Sequence, residues 1–186
     1  MTQLKEILSY NEAFVKNEEY KPYETSKFPN KELAIVTCMD TRLIELLPKA
    51  LNIHNGDAKM IKNAGGMIET PYDSAMKSLL VAIYELKARE VLIIGHHKCG
   101  MIGLKGENMI EHMKEQGLNE TSLNHAKSEN DHLETWLNGF GSVEERVKKS
   151  VETVKNHPLM PRDIPVHGLV ICPETGKLDL VVEDNK

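Results

Sequence analysis

Two short clusters of metal-binding residue types lie about sixty positions apart in this chain, each directly after an apolar run. The first, residues 38–42, reads Cys-Met-Asp-Thr-Arg, and the second, residues 96–99, reads His-His-Lys-Cys. Together they offer two thiolates, an imidazole and a carboxylate, which are ligand types that Zn²⁺ takes in a tetrahedral shell. Catalytic zinc sites commonly use three protein ligands and leave a fourth position exchangeable. The residue types therefore predict a zinc site that is able to do chemistry.

Both clusters follow segments that are predicted to be buried strands of a parallel sheet. Residues 33–38 and 90–95 are short apolar runs with β-branched residues, a pattern typical of strands covered on both faces. Sites in such sheets form beyond the carboxyl ends of the strands. If the two strands are neighbours, the clusters meet there, and His96 and Cys99 can converge on one ion from a tight turn. Cys38, His96 and Cys99 then supply three ligands.

The simpler interpretation of each cysteine is that it fills the core as a small hydrophobic residue. Cys38 alone is open to that interpretation, whereas Cys99 lies beside two histidines. Asp40 and Arg42, in the same loop as Cys38, favour a site over packing for the pair. Cys172 ends another predicted strand with no histidine nearby, so we predict that it belongs to the core.

Most of the other histidines are predicted to lie outside the site. His97 would project elsewhere in the turn, which favours a surface or packing role. His167 lies inside a predicted strand and fits a core histidine with a hydrogen-bond partner. Four more lie on polar helical stretches and are expected to face solvent: His112, His125, His132 and His157.

The order of the predicted elements indicates an α/β fold with a mainly parallel central sheet, flanking helices and an antiparallel edge strand near the C-terminus. Strands are predicted at 33–38, 58–63, 90–95, 165–171 and 177–183. Helices are predicted at 41–51, 71–88, 107–117, 120–137 and 142–156. The Gly-Phe-Gly sequence at 139–141 separates the last two helices. We expect residues 1–27 to form an N-terminal helical arm and residues 28–186 to form a single α/β zinc-binding catalytic domain.

Composition narrows the classes of function and location. The chain has 186 residues and a formal net charge of −5, so it lacks the basic surface that nucleic acid or an anionic membrane requires. No apolar run approaches the ~18 residues of a membrane span, and no signal peptide is recognisable. Three cysteines, an odd number, argue against a disulfide framework. We therefore expect a cytoplasmic protein whose thiols are free to bind metal.

The two clusters together resemble those of the β-class carbonic anhydrases, in particular the short, single-domain prokaryotic and archaeal branch. The resemblance covers nearly the whole chain. Its motifs are Cys38-Met-Asp-Thr-Arg42, Gly56-Asp-Ala, Lys62-Asn-Ala-Gly65, Gly95-His96 through Cys99-Gly-Met101, and Val166-His-Gly-Leu169. Lys98 departs from the pattern, because the closest relatives often have an acidic residue before the second cysteine.

The resemblance implies a reaction and a role for each site residue. Cys38, His96 and Cys99 would bind Zn²⁺, and the enzyme would hydrate CO₂ reversibly to bicarbonate and a proton by zinc-bound hydroxide. Asp40 and Arg42 would form a catalytic carboxylate–guanidinium dyad. Without its arginine the carboxylate would become a fourth ligand and close the site. Gly65 would line the substrate pocket, and the family implies a homodimer or tetramer.

Three alternatives to CO₂ hydration remain open from the sequence. The same zinc site would also suit hydrolysis of carbonyl sulfide or CS₂, which are linear and isoelectronic with CO₂. A non-catalytic zinc-binding protein with Asp40 permanently ligated is a second alternative, although Arg42 argues against it. A nucleotide-binding sheet is the third, and it is disfavoured because no glycine-rich phosphate loop follows a strand.

Overall fold

The computed structural model of the chain describes residues 2–185, and within them five strands form one sheet. In chain order the strands are β1 (Leu33–Cys38), β2 (Ala58–Asn63), β3 (Glu90–His96), β4 (Val166–Ile171) and β5 (Leu178–Val182). Their order across the sheet is β2-β1-β3-β4-β5. The first four are parallel, and β5 runs antiparallel to β4 at the edge. This arrangement confirms the predicted fold class.

Helices cover both faces of this sheet. In chain order they are α1 (Gln3–Lys16), α2 (Leu43–Ala50), α3 (Ser74–Tyr84), α4 (Gly106–Glu115), α5 (Glu120–Glu129), α6 (Leu133–Trp136) and α7 (Val143–Lys155). A 3-10 turn at Lys21–Tyr23 follows α1. Helices α3 and α7 pack against one face of the sheet, and α2 packs against the other.

Strand β1 is apolar at nearly every position because both of its faces are covered. Ala34 and Val36 pack in the cluster that contains α3 and α7, and Leu33 and Ile35 pack in the cluster that contains α2. Successive side chains of a strand point to opposite faces, so a slip of one residue would exchange the two sets. The packing therefore fixes the position at which Cys38 ends the strand.

Helix α3 is shorter at both ends than the predicted helix 71–88. Asp73 is its N-cap residue, and Asp73 Oδ1 accepts a hydrogen bond from the Met76 N–H at 2.7 Å. The helix therefore begins after Asp73, and Pro71 lies before it. At the other end Lys87 has φ +64°, a left-handed conformation that ends the helical path before β3.

The predicted helix 120–137 is two helices, α5 and α6. Asn130 interrupts it with extended backbone angles (φ −141°, ψ 99°). The Asn130 side chain accepts a hydrogen bond from the His132 N–H at 3.0 Å. This N–H therefore has a partner without a continuous helix. The periodicity alone predicts one continuous helix, because the Asn130 side chain competes with the helical hydrogen bonds at a single position.

His157 is buried, so the prediction that it faces solvent is wrong. Only 2% of the residue is exposed, and its Nδ1 accepts the Leu159 N–H at 3.1 Å. The ring also makes an edge contact with Tyr72, with 5.4 Å between centroids. Because His157 follows the end of α7, the polar pattern of that helix does not predict its position.

Helix α1 contributes no buried residue. Among its large apolar residues Leu4, Ile7, Leu8 and Val15 are exposed and Phe14 is half-buried. The boundary between an arm and a catalytic domain at residues 27 and 28 stays a prediction. Within residues 2–185, no helix is long and apolar enough to cross a membrane.

Candidate metal centre

The three predicted ligands come together at the carboxyl edge of the sheet. Strands β1 and β3 are hydrogen-bonded neighbours, so the condition for the two clusters to meet is fulfilled. One ligand atom each from Cys38, His96 and Cys99 lies within 4.8 Å of the others, and the two Sγ atoms are 3.9 Å apart. All three residues are buried.

The donor set fits a zinc ion. The Nδ1 atom of His96 lies 2.9 Å from the carbonyl oxygen of His97, so Nδ1 donates its proton there and Nε2 keeps a free lone pair. The Nε2 atom is buried and has no hydrogen-bond partner within residues 2–185. A buried polar atom without a partner costs free energy, which a bound cation would recover. Two sulfurs and one nitrogen are a common zinc ligand set.

The two thiols differ in acidity, and a cation between them would remove the difference. Burial raises the pKa of Cys38, but the His96 imidazole and the N–H groups of Asp40 and Gly65 more than offset it, and the pKa falls to about 7. Burial and the neighbouring Cys38 raise the pKa of Cys99 to about 11 against the effect of the Met101 N–H. Two thiolates this close require a compensating positive charge, and a divalent metal supplies it.

Asp40 lies beside the donor cluster but is bound to Arg42. Arg42 Nε donates to Asp40 Oδ1 at 2.9 Å, and Nη2 donates to Oδ2 at 2.8 Å. The Arg42 backbone N–H also donates to Oδ1, at 2.9 Å, and Nη2 donates to the Lys98 carbonyl at 3.0 Å. This fork holds the pKa of Asp40 well below its usual range, so the carboxylate stays ionised. Its Oδ2 atom is 3.7 Å from His96 Nε2.

Comparisons with known proteins agree with this geometry. The family model for carbonic anhydrase matches residues 33–178. The solved structure of β-carbonic anhydrase isoform I from Trichomonas vaginalis matches with a TM-score of 0.85 and 36% identity, over 100% of both chains. This chain belongs to the β-class carbonic anhydrases. The resemblance seen in the sequence is therefore confirmed.

Two curated relatives of this carbonic anhydrase show the range of its family. Putative carbonic anhydrase YvdA of Bacillus subtilis is 57% identical over 182 residues, which cover 98% of this chain and 92% of that protein. A carbon disulfide hydrolase of Acidianus sp. is 29% identical over 175 residues, which cover 87% of this chain and 83% of that protein. Sequences similar to this chain therefore include a putative carbonic anhydrase and a carbon disulfide hydrolase.

Gly65 and Gly66 form a turn in this carbonic anhydrase, and the turn lies against the backbone of the ligand Cys38. Both have positive φ, +81° and +63°. A Cβ atom on Gly66 would lie 2.5 Å from the backbone N of Cys38, so only glycine permits this approach. The prediction that Gly65 lines the substrate pocket stays a prediction. The structure shows in addition that Phe140 is a neighbour of Gly65, which the sequence did not predict. A Cβ on Gly65 would lie 2.9 Å from Cε1 of Phe140.

The Gly-Phe-Gly sequence at 139–141 predicts only a break between helices and no role for Phe140 in the site. The Phe140 ring packs with Met101 in the apolar cluster that contains Cys38 and Cys99. The two flanking glycines, which were interpreted as helix breakers, were the available signal. Gly139 permits a close approach of backbone, since a Cβ there would lie 1.8 Å from the Met101 carbonyl oxygen, and this approach brings the Phe140 ring to the site.

Lys98 and Cys172 both contact the carboxylate of Glu174. Lys98 Nζ pairs with Glu174 Oε1 at 2.6 Å, so the lysine charge has a carboxylate partner. Cys172 is half-buried, and its Sγ donates to Glu174 Oε2 at 3.1 Å. The prediction that Cys172 fills the core is therefore wrong. Strand β4 ends at Ile171, and Cys172 lies in the following turn, where its thiol contacts Glu174. His97 lies at the surface, 3.7 Å from Asp179.

Proposed function

We propose that this chain catalyses the zinc-dependent, reversible hydration of CO₂ to bicarbonate and a proton. The observation that carries the proposal is the Asp40–Arg42 fork beside the donor cluster. A site built only to hold zinc would use the carboxylate as its fourth ligand. Here Arg42 makes three hydrogen bonds to Asp40 and leaves one position of a tetrahedral shell free.

The residues of this site have separate roles in the proposed reaction. Cys38, His96 and Cys99 would hold Zn²⁺, which lowers the pKa of bound water toward ~7 and so supplies a nucleophile at neutral pH. Asp40 Oδ2 accepts a hydrogen bond from the attacking water and orients its lone pair toward the carbon of CO₂. Arg42 keeps Asp40 ionised and in place. The apolar side chains beside the cysteines keep bulk water away from CO₂.

A stopped-flow hydration assay tests the proposal directly. Zinc-loaded protein is expected to convert CO₂ faster than buffer alone at neutral and alkaline pH, and metal-free protein is expected to match the buffer. Protein that holds one zinc ion per chain and still matches the buffer would contradict the proposal and would favour a non-catalytic zinc protein.

Hydrolysis of carbonyl sulfide or CS₂ on the same site is the competing enzymatic function. Its support is the 29% identity to a carbon disulfide hydrolase. The 57% identity to YvdA, over a larger share of the chain, favours CO₂. The values of kcat/KM for CO₂ and carbonyl sulfide, measured on one preparation, decide between the two substrates.

We also propose that the chain forms a homo-oligomer in which the arm, residues 1–27, contacts a second copy. Leu4, Ile7 and Leu8 share one face of α1 and are 64%, 64% and 53% exposed. A helix this short gains most of its stability from packing, and α1 has no fully buried residue within the described chain. A second copy of the chain offers the apolar surface that this face needs, in a family whose members are dimers or larger.

Light scattering at micromolar concentration tests the oligomer. The wild type is expected to have at least the mass of a dimer, and the triple variant Leu4→Ser, Ile7→Ser, Leu8→Ser is expected to shift toward the mass of one chain. Glu6→Ser, on the same helix, serves as the control and is expected to keep the wild-type mass. A monomeric wild type would contradict the proposal.

A reducing compartment such as the cytoplasm suits this site. The Sγ atoms of Cys38 and Cys99 are only 3.9 Å apart. An oxidising compartment favours a disulfide between such thiols, which would remove two of the three donors.

A further inference from the structure

We propose that Phe140 forms the apolar wall of the substrate pocket and sets the size of the molecule that the metal centre accepts. The inference rests on the proposed function and adds a specificity-determining residue to it. It predicts that the ring favours CO₂ over its larger sulfur analogues.

The ring of Phe140 lies against Gly65, and the next residue, Gly66, lies against the backbone of Cys38. Its Cε1 atom would be 2.9 Å from a Cβ on Gly65, so the ring rests directly on the Gly65 backbone. Gly66, the next residue, is packed against the backbone N of Cys38. Phe140 also packs against the apolar cluster that contains Cys38 and Cys99, and from these contacts we infer that the ring borders a molecule bound at the open position of the metal centre.

Two methionines complete the same apolar wall. The side chains of Met101 and Met67 each lie 3.4 Å from the position of a Cβ on Gly65. Methionine is unbranched and flexible and adapts to what it contacts. The aromatic ring is rigid, so among these three side chains Phe140 is the one that imposes a fixed boundary on the pocket.

The backbone holds Phe140 firmly at this place. The Phe140 N–H donates to the Met101 carbonyl at 3.0 Å, and the Gly103 N–H donates to the Phe140 carbonyl at 2.8 Å. Gly139 makes the approach possible, because a Cβ there would lie 1.8 Å from the Met101 carbonyl oxygen. The loop that carries the ring is thus bonded to the segment that directly follows Cys99.

A rigid apolar wall discriminates between ligands by size. One methylene more or less in an apolar pocket changes kcat/KM by about 10–200-fold. Carbonyl sulfide is CO₂ with one oxygen replaced by the larger sulfur, and it reacts with the same nucleophile, COS + H₂O giving CO₂ + H₂S. Removal of the ring should therefore help carbonyl sulfide more than CO₂.

The test measures kcat/KM of zinc-loaded Phe140→Ala with CO₂ and with carbonyl sulfide. We expect the ratio of the two values to shift toward carbonyl sulfide by about tenfold or more. Phe140→Leu, which keeps an apolar side chain in the core, is expected to shift the ratio less. Tyr84→Ala, which removes an exposed aromatic side chain at the end of α3, is the control and should leave the ratio unchanged.

Ligand binding gives a second readout that needs no turnover. Calorimetry on the zinc-loaded proteins compares cyanate, a small linear anion, with an aromatic sulfonamide. Phe140→Ala is expected to bind the sulfonamide more tightly and cyanate with an unchanged Kd. Zinc content and the thermal midpoint of each variant control for loss of the fold.

Two results together would overturn the inference and leave the ring a packing role. In both Phe140 variants kcat/KM would fall equally for the two substrates, and the ratio of the two Kd values would stay unchanged. Failure of the proposed function has a different signature. In that case the wild type does not hydrate CO₂, while the calorimetric comparison still reports whether Phe140 limits the pocket.

Discussion

The variant His96→Ala is expected to bind zinc far more weakly, to lose it to a chelator under conditions in which the wild type keeps its ion, and then to show no hydration of CO₂ above the buffer rate. His96 supplies the only nitrogen of the donor set, and its Nε2 has no other partner within residues 2–185. Zinc binding to a four-ligand site is worth about 10–16 kcal/mol, so one ligand contributes on the order of 3 kcal/mol. The loss in zinc affinity should therefore be on the order of a hundredfold or more.

Metal analysis and calorimetric titration with Zn²⁺ measure this effect independently of activity. His97→Ala is the matched control, because it removes the adjacent imidazole, whose ring lies at the surface beside Asp179. We expect it to retain one zinc ion per chain. A zinc content that is unchanged in His96→Ala and lost in His97→Ala would show that the ligand set is wrong.

Zinc should also stabilise the folded chain, since its ligands come from two distant parts of the sequence, Cys38 in one and His96 with Cys99 in the other. A ligand present at 100 times its Kd stabilises the native state by about 2.7 kcal/mol. A chelator should therefore lower the thermal midpoint of the wild type and leave that of His96→Ala nearly unchanged.

The part of the fold that positions the metal could be predicted because its sequence pattern has one dominant cause. Strands β1 and β3 are continuous apolar runs, and only a strand covered on both faces explains such runs in so short a segment. Cys38 and His96 are the last residues of these strands. Because the strands are parallel neighbours, the two side chains lie at the same edge of the sheet. The family motif added the roles of Asp40 and Arg42, which spacing alone does not give.

The features that the sequence did not predict depend on contacts between distant residues or on one competing side chain. Phe140 and Gly65 are far apart in the sequence, and nothing in either local pattern predicts that the ring rests on the glycine. The Asp73 side chain accepts hydrogen bonds from the N–H groups of Glu69, Thr70 and Met76, and that of Asn130 accepts one from His132. Each redirects the backbone locally, and a periodicity read over many residues does not detect such bonds. The turn after β4 likewise gives Cys172 a carboxylate partner in place of the core.

The variant Arg42→Ala is expected to keep its zinc and to lose about 10²–10³-fold in kcat for CO₂ hydration, the usual cost of removing one electrostatic contact at a reaction centre. Arg42 makes three of the hydrogen bonds that hold Asp40. Without the guanidinium, the ionised carboxylate lies 3.7 Å from His96 Nε2 and keeps, of these three bonds, the one from the backbone N–H of residue 42. It then becomes the fourth ligand and blocks the position at which water reacts.

Arg42→Lys should lose nearly as much activity as Arg42→Ala. A single ammonium group cannot make the two parallel bonds to Asp40 and also reach the Lys98 carbonyl, which Arg42 does from a planar fork. The charge is conserved in this variant and the geometry is not, so the comparison separates the two contributions.

The absorption spectrum of cobalt-substituted protein distinguishes closure of the site from simple loss of orientation. Closure predicts that the spectrum of Arg42→Ala no longer responds to added cyanate, because the fourth position is filled. The double variant Arg42→Ala, Asp40→Asn should respond again, since the neutral amide is a much poorer ligand, and it should remain inactive because it lacks an ionised acceptor. A spectrum of Arg42→Ala that responds to cyanate as the wild type does would mean that Arg42 only orients Asp40, and that the open position does not depend on their ion pair.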